Sequence, residues 1–524
     1  MAQHQHQEVM DNISETASNE AVDKPQVVAV EALRQEPPAY IKSLSPEQRL
    51  AAEKALVRKI DIRLIPMIVL IYIMNYLDRN NIAAARLAGL EDELKLHGTQ
   101  YQTAVSILFV GYLLMQVPSN LFLNQFGKPA IYLSTAMVIW GIISACTAAV
   151  QSFGGLIAVR FFLGFVESTY FAGCLYYLSA WYTRKELGFR TAMLYSGSLL
   201  SGAFSGLIAA GITEGMDGVL GLKAWRWLFI IEGGITIGIA AIAYFILPNF
   251  PKTTPWLSDD EKTLAAWRLE EDIGEEDRAE DNHGSLFHGA KLAVSDIKMW
   301  LLMVILFCIV FSGSVTNFFP TVVQTLGYGK INSLLLTCPP YVLAVITTFL
   351  NAWHADRTGE RYFHVTTPLY FAVLAFILAA ATTSTAPRYI AMMLMVPGVY
   401  TGYVVCLGWI SNTLPRPAPK RAAAIAAINA VSNTSSIFAS YMFPSSAGPR
   451  YVVAMSVCCA SAATAIIFAT ILRVILVRLN RKLDRGEFVE GAINATAGAR
   501  RSGVLGAGDA VPAEAASHGF RFLV

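Results

Sequence analysis

Twelve apolar runs of roughly twenty residues constrain this chain more than any other feature, because each is long enough to cross a bilayer as a helix. They lie near 63–83, 101–123, 130–150, 154–178, 191–213, 226–247, 299–323, 332–353, 364–384, 388–411, 422–443 and 451–477. In hydrocarbon a backbone must satisfy its own hydrogen bonds, so runs of this length predict an all-α membrane protein with twelve transmembrane helices. Composition agrees: 54% of residues are hydrophobic and only 15% charged, where a soluble protein carries about 25% charge. A net charge of +2 gives no electrostatic footing for nucleic acid. No nucleophile–base constellation, metal cluster or nucleotide loop appears, so neither an enzyme nor a bound cofactor is expected. The seven cysteines sit in or beside apolar segments without a CxxC pair, which suits small buried hydrophobes.

Six runs precede a hydrophilic stretch at 248–298 and six follow it. The expected organisation is an N-terminal segment 1–60, largely disordered, a six-helix bundle 61–248, a linker 249–298, a second bundle 299–480 and a disordered tail 481–524. Within the linker, Ser258 followed by Glu261 reads as a capping box opening a short helix. The first 60 residues are polar and lack a cleavable signal, so the first apolar helix directs insertion. Placing the N-terminus in the cytoplasm puts Arg58, Lys59 and Arg63, Arg184, Lys185 and Arg190, Arg357 and Arg361, and Arg473, Arg478, Arg481 and Lys482 in inner positions. Both termini and the linker are then cytoplasmic, with the plasma membrane the expected location and a monomer the expected state.

Charge within the spans is confined to the first half: Asp78 and Arg79 in "IYIMNYLDRNNIAAA", Arg160 and Glu167 in the fourth run, and Glu232 at the outer end of the sixth. An intramembrane charge points to a functional cavity, with a structural ion pair as the alternative. The alternative is favoured for Glu232. Arg160 and Glu167, seven residues apart, share a helix face about 10 Å apart along the axis, so a third group must couple them. Depth along the helices predicts one layer containing Asp78, Arg79, Arg160 and Glu167. A carboxylic acid there can exchange a proton near neutral pH, and arginine offers a planar fork for an anion. Together they form a minimal device for coupling protons to an anionic substrate.

The loop after the eighth run reads "NAWHADRTGER" and that after the second "SNLFLNQFGKP". Aligning Gly359 with Gly127 sets Asp356 opposite Asn124, which suggests an internal duplication. This repeated loop resembles the inner-loop motif of the major facilitator superfamily, complete in Asp356, Arg357 and Gly359 and degenerate around Gly127. The resemblance implies two six-helix bundles about a central site with alternating access. Longer stretches, "YLDRNNIAAARLAGLEDELKLHGTQY", "RFFLGFVESTYFAGCLYYLSAWYTRKELGFR" and "KAWRWLFIIEG", resemble the anion:cation symporter family over about residues 60–480, and within it the fungal allantoate, nicotinate and pantothenate permease branch.

That resemblance implies substrate binding by Arg79 and Tyr76, with Asn317, Asn429 and Asn433 as contacts from the second bundle or as interhelical hydrogen bonds. It implies proton coupling by Asp78, Glu167 and Arg160. The partners implied are a small organic anion (a vitamin, ureide or carboxylic acid), protons and the lipid bilayer. Ser168, Thr169 and Ala172 depart from the branch's small and proline residues next to Glu167 and are expected to reshape the pocket. Glycines 197, 202, 206 and 211 without a proline in the fifth run favour symport over antiport. Export of an acidic metabolite and a non-transporting nutrient sensor are the alternatives.

Overall fold

The computed structural model describes residues 37–126, 128–281, 286–414, 418–485, 487, 489 and 521–524. The described residues up to Leu50 form one unit and those from Ala51 onward another. In the first, a short helix Ala39–Ser43 precedes a reciprocal cap. There Gln48 N–H donates to Ser45 Oγ at 3.2 Å and Ser45 N–H to Gln48 Oε1 at 3.0 Å, with Pro46 opening the helix that follows.

Twelve helices stand at the twelve expected positions and are numbered in order. They are α1 Pro46–Leu87, α2 Gln100–Phe126, α3 Pro129–Cys146, α4 Phe153–Ser179, α5 Arg184–Gly215, α6 Ala224–Ile246, α7 Ile297–Gly313, α8 Cys338–Thr358, α9 Tyr362–Ala381, α10 Thr385–Thr413, α11 Ala418–Ala439 and α12 Val452–Asp484. Among the described residues ten helical segments are long and apolar enough to cross a membrane. Helices α2 and α11 carry polar residues along their length, including Gln102 and Ser106 on α2 and Ser432, Asn433 and Ser436 on α11. The span that begins as α7 is broken: a 3-10 turn, Ser314–Phe318, interrupts it before helix Phe319–Gln324.

The packing pairs repeat between halves. α2 lies on α4 as α8 lies on α10, and α3 on α6 as α9 lies on α12. Across the halves, α5 meets α8 and α11 meets α2, again the same relation exchanged. The duplication suggested by two loops is thus written in the helix contacts. Small residues permit the closest approaches. A side chain at Gly111 would run into the Phe161 backbone, and one at Gly164 into the Leu108 backbone, so α2 and α4 pack backbone to backbone. On α5, Gly202 lies under the Tyr341 ring and Gly206 against Thr337, both from the other half, whereas Gly211 faces open space.

The halves are tied where α2 begins and α11 ends. Gln102 Nε2 donates to the Phe443 carbonyl at 3.1 Å, Ser106 Oγ to the Ile437 carbonyl at 3.1 Å, and the Thr103 and Tyr441 hydroxyls are 3.1 Å apart. The opposite end carries the linker. There the capping box at Ser258 and Glu261 forms as expected, with bonds of 2.9 and 3.2 Å, and opens helix Asp259–Asp281. Gly359, at φ +68°, ends α8, and Arg361 Nη2 holds Asp356 Oδ1 at 2.8 Å. Arg357 stacks on Trp353 instead. Gly127 lies outside the described residues. In the tail beyond about 485, which the sequence reads as disordered, residues 521–524 are described and packed, with Phe522 2% exposed.

Asp296 caps α7, accepting from Lys298 N–H at 3.0 Å, and pairs with Lys420 of α11 at 2.8 Å and Lys298 at 3.3 Å. Burial pushes its carboxyl up, but Lys420 and Lys298 outweigh burial and hold it below the ordinary aspartate value. A depressed folded value stabilises the fold above the unfolded value and is lost as pH falls through the folded one. Asp296→Asn, which keeps the cap, should therefore lower the thermal midpoint at pH 7 and narrow to no difference from the parent below about pH 3. Melting curves of detergent-solubilised protein across pH measure this. In the same assay Gly164→Ala should lower the midpoint sharply, because backbone must move. Gly211→Ala should be neutral or gain up to about 1 kcal/mol of helix propensity.

Candidate functional site

A cavity lies between the halves, lined by residues of both. Tyr76, Arg79 and Asn80 of α1 line one wall with Tyr195 and Ser198 of α5. Opposite stand Thr316 and Asn317 on the 3-10 turn after α7, Tyr341 of α8, Tyr400 and Tyr403 of α10, and Asn433 and Ser436 of α11. The break after α7 is what turns Asn317 inward. Of the expected contact residues, Tyr76, Arg79, Asn317 and Asn433 all line this cavity. Asn429 does not: its carbonyl accepts from Asn433 Nδ2 at 3.0 Å, one turn along α11.

Arg79 organises the first wall. Its Nε donates to Glu167 Oε2 at 2.9 Å, and its guanidinium lies 5.0 Å from the Tyr76 ring and 4.9 Å from Tyr112. Glu167 is fully buried, with Oε1 unpartnered among the described residues. Arg160, 1% exposed, reaches the same residue from behind. Its Nη1 and Nη2 donate to the Arg79 carbonyl at 3.2 Å each and its Nε to the Ala104 carbonyl at 3.3 Å. The third group needed between Arg160 and Glu167 is therefore Arg79, which offers its backbone to one and its side chain to the other.

Asp78 stands apart from this chain of contacts. It turns to the opposite side of α1, where Ser144 Oγ of α3 donates to Oδ1 at 2.6 Å and Thr236 Oγ1 of α6 to Oδ2 at 2.8 Å. One helical turn on, Asn81 Nδ2 donates to Glu232 Oε2, also fully buried. Asp78 and Asn81 are three apart on α1, Glu232 and Thr236 four apart on α6, so two polar rungs join these helices. The sequence treats Glu232 as a residue near the interface; its i, i+4 relation to Thr236 was the available signal. Ser168 and Thr169 bond back to the Phe165 and Val166 carbonyls at 2.9 and 2.8 Å and do not line the cavity. Their expected effect on pocket shape has no direct contact behind it.

This architecture, a cavity between two like halves with charge on one wall, is that of a transporter, and comparison with known proteins decides the family. Residues 68–441 match the Major Facilitator Superfamily. The chain belongs to that superfamily. It is 32% identical over 412 residues to the MFS-type transporter efuF of Hormonema carpetanum, covering 76% of this chain and 80% of that one. It is 30% identical to the major facilitator-type transporter hxnP of Emericella nidulans, covering 83% and 88%. It is 32% identical to the protein named "Putative tartrate transporter" of Agrobacterium vitis, covering 73% and 86%. In fold it is similar to a bacterial homologue of human lysosomal Spinster in an inward-facing conformation, at a TM-score of 0.59 and 15% identity over 79% of this chain and 97% of that one. The proton:xylose symporter XylE matches at 0.59 and 16% identity over 77% and 94%. The protein is thus a multi-pass membrane transporter and not an enzyme.

The two α1–α6 rungs yield a stability test. Asn81→Leu strands a buried carboxyl and should cost about 1–3 kcal/mol. Glu232→Gln, whose amide can still accept from Asn81, should cost less than half of that. Thermal melts of the two variants in one detergent compare them directly.

Proposed function

We propose that this superfamily member is a proton-coupled symporter that takes up a small organic anion and belongs to the anion:cation symporter branch. The observation that carries the reading is Arg79 on the cavity wall with only its Nε engaged by Glu167. A buried arginine paired to one carboxylate oxygen keeps donors for a second, planar anion. The opposing wall is neutral, with Asn317, Asn433, Thr316 and three tyrosines, which suits a solute that carries one charged end and further hydroxyl or amide groups. A relative named for tartrate fits the same class.

The coupling works through competition for Arg79. With Glu167 ionised, the arginine is neutralised within the protein. A proton taken up by Glu167 removes that partner's charge, and Arg79 then pairs with the substrate carboxylate. Loss of the proton restores the ion pair and expels the anion. Arg160 keeps the Arg79 backbone in place through this exchange, and Asp78, held by Ser144 and Thr236, is the second proton-linked acid. Closure at the end where α2 begins leaves the site facing the end that carries the linker. With the termini in the cytoplasm of a plasma-membrane protein, that is the inward-facing state.

In proteoliposomes or expressing cells, a screen of radiolabelled mono- and dicarboxylates, vitamins and ureides should find accumulation stimulated by an inward proton gradient. Absence of acid-stimulated accumulation for every carboxylate rules the reading out. Arg79→Lys should reduce uptake about ten-fold or more, losing planar recognition worth roughly 1.5–3 kcal/mol. Glu167→Gln should abolish gradient-driven accumulation while retaining substrate counterflow, because the glutamine stays permanently neutral.

A further inference from the structure

The ends of the second-half helices that carry the Gly359 turn hold an extended tetrapeptide from the same chain. Phe522 is read on both backbone sides by one side chain: its N–H donates to Asn480 Oδ1 at 2.9 Å and its carbonyl accepts from Asn480 Nδ2 at 2.9 Å. The Phe522 ring is buried and carries Lys298 Nζ at 5.3 Å. The Leu523 carbonyl accepts from Nε1 of buried Trp409 at 3.0 Å, and the Val524 carbonyl from Arg361 N–H at 2.9 Å. Arg521 Nε pairs with Asp484 at 2.8 Å. Successive residues thus meet α12, α7, α10 and the α8–α9 turn.

We propose that this surface is a peptide-binding groove whose ligand is the Arg-Phe-Leu-Val segment 521–524 acting in cis, and that its occupancy fastens the inner-loop turn of the second half to α10 and α12. Three features make it a recognition site rather than incidental packing. An amide that satisfies both backbone groups of one residue demands an extended strand at that register. The buried ring supplies an apolar anchor, and the Arg521–Asp484 pair fixes direction. The turn that receives Val524 is the one in which Arg361 also holds Asp356, so release of the segment removes a restraint from that motif. The inference stands on the fold and is independent of the substrate reading.

The test uses the full chain, a variant ending at residue 520, and the amino-terminally fluoresceinated peptide Ser-His-Gly-Phe-Arg-Phe-Leu-Val. By fluorescence anisotropy the shortened protein in detergent should bind the peptide saturably, and the full chain at least ten-fold more weakly because its own segment competes. Asn480→Ala in the shortened protein should weaken binding ten-fold or more, and a peptide with alanine for the phenylalanine at 522 should not bind. The shortened protein should melt a few degrees lower, with the peptide restoring the midpoint. If shortening prevents folding, the full-length Phe522→Ala variant replaces it as the acceptor. No saturable binding to a cooperatively folding acceptor, or equal binding to the Asn480→Ala variant, overturns the proposal.

Discussion

The ion pair between Arg79 and Glu167 is the constraint about which the first half is arranged. Two opposite charges removed from water repay their desolvation only when geometry and further hydrogen bonds are good. The guanidinium is sandwiched by Tyr76 and Tyr112, and the Arg79 carbonyl takes two bonds from Arg160. Arg160 adds a positive charge to the cluster without a carboxylate bonded directly to it. One glutamate therefore serves two arginines, with Arg79 between Arg160 and the carboxylate, and on the proposed reading Arg79 at the cavity wall carries the surplus positive charge toward an anion.

The cavity wall contributed by the second half is uncharged. Tyrosine and asparagine supply hydrogen bonds without a Born cost. Tyr195 of the first half and Tyr403 of the second already meet hydroxyl to hydroxyl at 3.2 Å. The glycines of α5 let Tyr341 and Thr337 lie directly on its backbone, so the halves approach closely there.

Much of this was legible in the chain. The twelve helix positions and the capping box at Ser258 follow from hydropathy and punctuation, and Arg79 stands out by the cost of intramembrane charge, whereas Tyr76, Asn317 and Asn433 are pointed to by the family resemblance. What the sequence left unread has one physical origin: adjacent residues on a helix point about 100° apart. Asp78 and Arg79 look like a unit in "YLDRNN", yet one faces α3 and α6 and the other faces the cavity. The same geometry parts Asn429 from Asn433 only slightly, yet of the two it is Asn433 that lines the cavity. Contacts made across long separations carry little local signal: for Asn81 with Glu232 it is only the spacing of Glu232 and Thr236, and for Asn480 with Phe522 there is none.

The separation of Asp78 from Arg79 has a consequence for coupling. On the proposed reading the two acids act from different places, Glu167 behind the cavity-lining Arg79 and Asp78 in the α1–α3–α6 seam. Arg79 and Asp78 are adjacent on α1, so on the proposed reading an anion that replaces Glu167 as the partner of Arg79 pulls on the turn that also carries Asp78. Thr236 and Ser144 resist it with two hydrogen bonds, and Asn81 and Glu232 with the next rung. The polar seam thus gives α1 a defined resting orientation against which substrate binding must work. Polar rungs in the lipid-spanning part of the first half are in this way what makes the orientation of Arg79, and with it the shape of the cavity wall, a property of the fold.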